Sequence, residues 1–361
     1  MNKIKVSVVI STRDEGHNLT HTIHSLINDL ETFLLPDEFE IIVVWNTPHS
    51  SEWWFLMERG LTYHRTLKHC FDPIAGNVTA RNKGAYLASG DILFFCDAHM
   101  SIKPGTMERM CNGVRESGGI VHVPVQWMGG YEPAQPSYQY SIKIGEKIWG
   151  TWGRRKIASS LYAIPATGHC FFAVSRDQFL GAGGYAPPFR CYGGGELYLA
   201  LKWWALGYGV YLEPNGLVYH LSAGRGYQYH QDDLVHNMML LGYALGCPAL
   251  GERVYLTYVG KHKTSRLEYL HTIARAAGER DHRDWSTAPS YTPVYDVLTH
   301  RPWDRYNESR HGTAHSDVVV FHESWLNSIT NEARTLHNAS ELQRGLASIV
   351  NELYRTGAIR G

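Results

Sequence analysis

Two periods of apolar positions alternate along the first half of this chain. Val6-Ser7-Val8-Val9-Ile10 is a β-branched run, and Glu40-Ile41-Ile42-Val43-Val44 is another. Between them Leu19, Ile23, Leu26, Ile27 and Leu30 recur at the spacing of one helix face. Strand, helix and strand in close succession predict a βαβ unit with a right-handed crossover. A further run, Ile92 to Cys96, carries no polar alternation, which predicts a strand buried on both faces of a parallel sheet. A loop at Gly76 opens a helix through Ala80-Arg81-Asn82-Lys83-Gly84 that feeds this strand. Met107, Met110 and Val114 predict another helix, and Gly119 to Val123 another strand.

Residues 126 to 160, rich in Trp, Tyr, Gly and Pro, read as irregular loops over one face of the sheet, either a lid or a packed excursion. Ala166 to Val174 predicts a turn and strand. Gly193-Gly194-Gly195-Glu196 opens a helix carrying Leu197, Leu201 and Trp204 that stops at Gly207, and residues 210–214 and 216–220 predict two more strands. From about residue 230 the pattern turns helical, first through Met238, Leu241 and Ala244. Residues 253–311 are mildly basic with interleaved aromatics, the composition of some nucleic-acid surfaces, and read first as a solvated, loop-rich face. Apolar positions from Trp325 to Tyr354 fall near helical spacing and predict one or two amphipathic helices, docked or dimerising. The expected division is a first domain over 1–228 and a C-terminal helical and aromatic extension over 229–361, serving acceptor recognition or oligomerisation.

Lys+Arg and Asp+Glu both number 34, so global charge points to no polyanionic partner. The six cysteines are scattered, with no Cys-x-x-Cys pair, which fits neither a disulfide framework nor a zinc cluster and predicts a reducing compartment. No apolar run approaches a membrane span, and the first strand begins at Val6. The expectation is a cytoplasmic protein of bacterial or viral type, with no transmembrane segment.

The candidate chemistry sits where the Ile92–Cys96 run ends, in Asp97-Ala98-His99. Open parallel sheets bind ligands at the carboxyl ends of their strands. A carboxylate and an imidazole two residues apart are then delivered together to the mouth of the sheet, and both can ligate one divalent ion. No GxGxxG or P-loop pattern follows any predicted strand, so a nucleotide pocket here is of neither type. His220 ends another apolar strand. Glu196 is an acid in the first turn of its helix, where the dipole favours it.

Taken together, residues 5 to 225 resemble the GT-A nucleotide-sugar glycosyltransferases. The first strand, helix and Glu-Ile-Ile-Val-Val strand look like family 2, and Ala80-Arg81-Asn82-Lys83-Gly84 matches the ARNxG box of that group. Asp97-Ala98-His99 resembles the Asp-x-His metal motif of the polypeptide N-acetylgalactosaminyltransferases. Gly193 to Glu196, followed by Trp204-Ala205-Leu206-Gly207, resembles their Gly-Gly-Glu-Asn to Trp-x-x-Gly helix. The resemblance implies an α/β GT-A (Rossmann-like), mostly parallel sheet flanked by helices, with a mostly helical C-terminal extension. It also implies Mn²⁺ (or Mg²⁺) held by Asp97, His99, His220 and the phosphates of a UDP-sugar donor. By the same resemblance Thr12, Arg13, Glu15 and Asn46 line the uridine pocket, Arg81 sits near the nucleotide or donor, and Arg225 and Tyr227 clamp the diphosphate. Glu196, His169 and Trp204 complete the implied catalytic set.

Some positions depart from the pattern. Trp45-Asn46 stands where the family usually has Asp, and His169 where a small residue is common. Counting back from Gly207, Gly195 takes the place of the usual Glu, which leaves Glu196 as the one acid there and the candidate base for an acceptor hydroxyl. The implied function is metal-dependent transfer of a sugar from UDP to a hydroxyl of protein Ser/Thr, a glycan precursor or a hydroxymethylated base of phage DNA. The alternative is a catalytically inactive GT-A module that binds glycan or nucleic acid. Donor sugar, stereochemistry and oligomeric state stay open, a homodimer through the C-terminal helices among the options.

Overall fold

The computed structural model describes residues 3–46, 66–72, 74, 76–129, 135–144, 147–221, 229–259, 265–313 and 319–321. Its first half runs β1 (Val6–Thr12), α1 (His17–Leu30), β2 (Phe39–Trp45), β3 (Leu67–Phe71), α2 (Asn77–Leu87), β4 (Ile92–Asp97), β5 (Met100–Ile102), α3 (Thr106–Ser117), β6 (Ile120–His122) and β7 (Val125–Met128). It continues with β8 (Gln139–Ile144), β9 (Ile148–Gly153), β10 (Tyr162–Ala163), β11 (Phe171–Ser175), α4 (Arg176–Gly181), α5 (Gly195–Ala205), β12 (Val210–Leu212) and β13 (Val218–Leu221). Helices α6 (Gln231–Ala244), α7 (Pro248–Val259), α8 (Ser265–Trp285), α9 (Val294–His300) and α10 (Pro302–His311) follow, and β14 (Val319–Phe321) pairs with β8.

The main sheet has the order β10-β12-β6-β11-β4-β1-β2-β3. β1 lies parallel to both β2 and β4, β2 to β3, and β6 to β12. β11 runs antiparallel between β4 and β6. The predicted mostly parallel α/β sheet is therefore present, and its central strands are buried and mostly apolar because helices cover both faces. Helix α2 packs so closely that a Cβ on Gly84 would collide with Val9, so only glycine serves there.

A second, three-stranded sheet matters most for the site. β13 lies between β5, antiparallel, and β7, parallel. Its register sets His220 opposite Met100 on one side and Trp127 on the other. Because Met100 directly follows His99, this pairing brings His220 beside the end of β4.

Two sequence expectations are corrected. The segment 126–160 is not irregular: β8 and β9 pair in register, Tyr140 opposite Trp152 and Lys143 opposite Trp149. The Trp- and Gly-rich composition hides a period of two, in which Tyr140 and Ile142 face inward while Ser141 and Lys143 face outward. Residues 253–311 are not loop-rich but mostly helical. Leu267, Leu270, Ala274 and Ala277 form a buried stripe on α8 that its many charges obscure in the sequence.

The C-terminal helices share one continuous hydrophobic core with the sheet, from Val6 to Trp303. Trp303 packs edge-on against Trp204, ring centroids 5.6 Å apart, and Tyr306 against Tyr211. Asn307 is fully buried and forms a two-way bridge to β10: its Oδ1 accepts from Ala163 N at 2.8 Å and its Nδ2 donates to Ala163 O at 2.9 Å. The helices expected between Trp325 and Tyr354 lie outside the described residues. Asn307→Ala strands both backbone groups of a buried strand and is expected to lower stability by about 2–4 kcal/mol, measured as a fall in the urea midpoint.

Candidate active site

Three strand ends meet at one point. Asp97 closes β4, His99 stands in the tight link to β5, and His220 lies in β13. The ligand atoms of Asp97, His99 and His220 all fall within 4.8 Å of one another. His220 Nε2 approaches Asp97 Oδ2 at 3.4 Å, and the two imidazoles meet edge to face with centroids 4.6 Å apart. His220 Nδ1 is buried with no hydrogen-bond partner in the protein. One carboxylate oxygen and two imidazole nitrogens form a mixed set that suits Mn²⁺ or a similar transition ion better than Ca²⁺.

The surrounding residues hold these groups in place. Arg81 is fully buried, and its Nη2 donates to Asp97 Oδ1 at 2.8 Å and to His169 O at 2.6 Å. Glu15 Oε2 pairs with His99 Nδ1 at 2.9 Å, which leaves Nε2 as the candidate metal donor. Burial opposes the charge on Asp97. The His220 hydrogen bond and the charges of Arg81 and His99 outweigh it and hold the carboxyl down to about 2.

These contacts revise two expected roles. Arg81 cannot touch a nucleotide, because it lies beneath Asp97. Its partner in the ARNxG box, Asn82, brackets the backbone of Tyr185 in both directions. Glu15 borders the cavity but acts on His99.

A cavity of about 500 Å³ opens over the cluster, within the range of ordinary small-molecule sites. Thr12, Arg13 and Asn46, from the ends of β1 and β2, line one side. His169, Gly193, Gly195 and Glu196 line the other, with Trp127, Tyr140 and Trp152 between. Glu196 sits in the first turn of α5. Burial pushes its carboxyl up, with Arg81 and a hydrogen bond from Tyr140 acting in the opposite sense. His169 is held well below the usual imidazole range by burial and then by Arg81, so it is neutral at pH 7. Its Nδ1 lies 3.8 Å from Glu196 Oε2.

Of the expected catalytic set, Trp204 is misplaced. Its Nε1 donates to Ile164 O at 3.2 Å and its ring packs on Trp303, so it anchors α5 to the C-terminal helices and does not border the cavity. Arg225 and Tyr227 lie outside the described residues. The sequence reading missed Tyr140, Trp152 and Tyr185. Only the inward register of β8 and β9 marks the first two, and no local pattern marks Tyr185.

Comparison with known proteins agrees with this geometry. Residues 7–180 match the family model described as glycosyl transferase family 2. With the sheet order and the strand-end cluster, this match likens the first half of the chain to the GT-A-fold, family 2 glycosyltransferases. Among its curated relatives are the N-acetylgalactosaminyltransferase 7 of Drosophila melanogaster, 25% identical over 61% of this chain and 40% of that protein. Polypeptide N-acetylgalactosaminyltransferase 3 of the same organism is 27% identical over 60% of this chain and 34% of its own length. The chain thus spans less than half the length of these relatives. Among solved structures, GalNAc-T7 with UDP, GalNAc and Mn²⁺ superposes with a TM-score of 0.58 at 19% identity, covering 84% of this chain and 59% of that one. Among the described residues no helix is long and apolar enough to cross a membrane.

Arg81→Met removes the buried cation from Asp97 and is expected to cost about 3–5 kcal/mol in urea unfolding at pH 7. The pairing contributes fully above the unfolded carboxylate value near 3.8 and is lost as pH falls toward the folded value of about 2. The gap between wild type and variant is therefore expected to narrow across that window.

Proposed function

We propose that this chain transfers a sugar from a UDP-sugar to an acceptor hydroxyl, using a divalent cation held by Asp97, His99 and His220. The observation that carries this reading is the convergence of those three groups, two of them braced from behind, at the floor of a cavity of nucleotide-sugar size. The GalNAc-T7 structure with UDP, GalNAc and Mn²⁺ supports the cation and donor class. A bound cation would offset the charge that develops on the departing diphosphate.

The protein's own groups divide the remaining work. Thr12, Arg13 and Asn46 face the nucleoside side, at the carboxyl ends of parallel strands. Arg225 and Tyr227 are assigned to the diphosphate from the sequence resemblance alone. Glu196 is the acceptor base, since a carboxylate raised by burial takes a proton more readily.

A protein Ser/Thr hydroxyl is the favoured acceptor, because the relatives are polypeptide-modifying enzymes by name. The basic segment that favoured nucleic acid loses its force. Arg266 pairs with Asp232, Arg275 with Glu252 and Glu279, Arg301 with Asp304, and Arg310 with Glu116. The departures at Gly195 and His169, with a relative described as a putative inactive polypeptide N-acetylgalactosaminyltransferase 11, favour a second reading, a module that binds UDP without turnover.

Release of UDP from a panel of UDP-sugars with Mn²⁺ tests the two. Turnover of one donor is expected, abolished in both Asp97→Ala and His99→Ala. Glu196→Gln is expected to lower kcat by about 10²–10⁴-fold with UDP affinity retained. Full activity in both ligand variants overturns the metal assignment, and UDP binding without release for any donor selects the binding module.

A further inference from the structure

Behind Glu196 lies a second layer of polar groups that the transfer reaction, as described, does not use. Tyr185 is fully buried, and its hydroxyl meets His169 Nε2 at 2.9 Å. The His169 ring stacks on Phe172 and stands edge-on to Tyr185, so it is wedged between two aromatics. Its opposite nitrogen, Nδ1, faces Glu196 at 3.8 Å. Tyr185 is itself fixed by Asn82, which accepts from its backbone N–H at 3.0 Å and donates to its carbonyl at 2.9 Å.

The same ring explains the missing side chain at position 195. A Cβ there would lie 2.7 Å from His169 Cε1 and 2.7 Å from Val78 Cγ2. His169 thus occupies the volume that a side chain at 195 requires, and the two positions are one packing solution. An acid at 195 is exchanged for an imidazole that approaches from the adjoining strand.

The chemistry of a neutral imidazole then decides its orientation. One nitrogen carries the proton and the other accepts. The His169 ring is hydrogen-bonded to the Gly195 backbone, and with Nε2 turned to Tyr185 the nitrogen that serves there is Nδ1, the protonated one; Glu196 Oε2 lies 3.8 Å from it, close enough to feel the N–H dipole but beyond hydrogen-bond range. Nε2 is left as an acceptor for the Tyr185 hydroxyl. Burial keeps the phenol protonated and the imidazole neutral, which agrees with this arrangement.

We propose that Tyr185 and His169 are positioning residues that hold Glu196 in place as the acceptor base, by fixing the His169 tautomer with Nδ1–H on the Gly195 backbone that carries Glu196. This rests on the reading of Glu196 as base. In the step they serve, the acceptor O–H proton passes to a Glu196 oxygen. The acceptor oxygen forms the bond to the anomeric carbon, and the bond from that carbon to the diphosphate breaks with its electron pair on UDP.

The test compares the pH profiles of kcat for wild type, Tyr185→Phe, His169→Asn and His169→Leu, with Glu196→Gln as reference. The groups that bear on Glu196 from the packed elements are Tyr140 on β8, Arg81 on α2 and Asp97 on β4, with His169 and Tyr185 behind it, and the Tyr185 hydroxyl also accepts from Arg81. Tyr185→Phe removes one buried oxygen. It is expected to lower kcat about tenfold or more, to leave donor KM within about twofold, and to move the acid limb to higher pH, since a carboxylate beside a less firmly held N–H dipole binds its proton more tightly. His169→Asn keeps an N–H near the place of Nδ1 and is expected to retain more activity than His169→Leu. A dead Glu196→Gln alongside wild-type kcat and pH profile in Tyr185→Phe overturns the inference alone. So do matching profiles for His169→Asn and His169→Leu. An active Glu196→Gln overturns the base assignment and the inference with it.

Discussion

A single buried guanidinium ties the site together. Arg81 is fully buried, and a cation in that position persists only if its charge is answered. It is answered by Asp97 on one side and by the carbonyl of His169 on another. The first contact fixes the carboxylate at the end of β4. The second fixes the backbone just before β11, where the opposite wall of the cavity begins. One side chain thus sets the distance between the groups read as metal ligands and the groups read as acting on the acceptor. Glu15 plays the corresponding part for His99, so two of the three ligand side chains are held from behind before any ion arrives.

The third ligand depends on tertiary structure. His220 is 121 positions from His99 in the chain, and only the pairing of β13 with β5 and β7 brings it in. Trp127, its neighbour on β7, covers it at a ring separation of 4.5 Å. The wall that carries Glu196 is likewise supported from a distance. Asn237 on α6 donates to the carbonyls of Arg190, Tyr192 and Gly193 and so orders the glycine turn ahead of α5. Tyr198 gives its hydroxyl to Asp281 on α8 at 2.6 Å. The C-terminal helices therefore act as a brace for the helix that presents Glu196.

The sheet was legible in the sequence because its strands are buried on both faces. Unbroken runs such as Val6–Ile10 and Ile92–Cys96 admit few other readings. The strand-end pair Asp97 and His99 was legible for the same reason, since a polar triplet ends an apolar strand abruptly. Legibility failed where a residue's role depends on what comes from elsewhere in the chain. Arg81 looks like a ligand contact in a polar helix, but Asp97 and His169 bury it. Trp204 lies on the active-site helix, yet Trp303, 99 positions away, turns it into an anchor. The β8–β9 hairpin was hidden because glycine and tryptophan alternate in it without a clean polar face. Gly195 read as a lost acid, and only the position of the His169 ring shows why no side chain fits.

The most direct test is calorimetric titration of UDP into the purified protein, with Mn²⁺ present and again with EDTA. The account predicts that UDP binds with Mn²⁺ and that EDTA removes most of that affinity, because the diphosphate is held largely through the ion at Asp97, His99 and His220. Equal UDP affinity in the two titrations, or none in either, would contradict it.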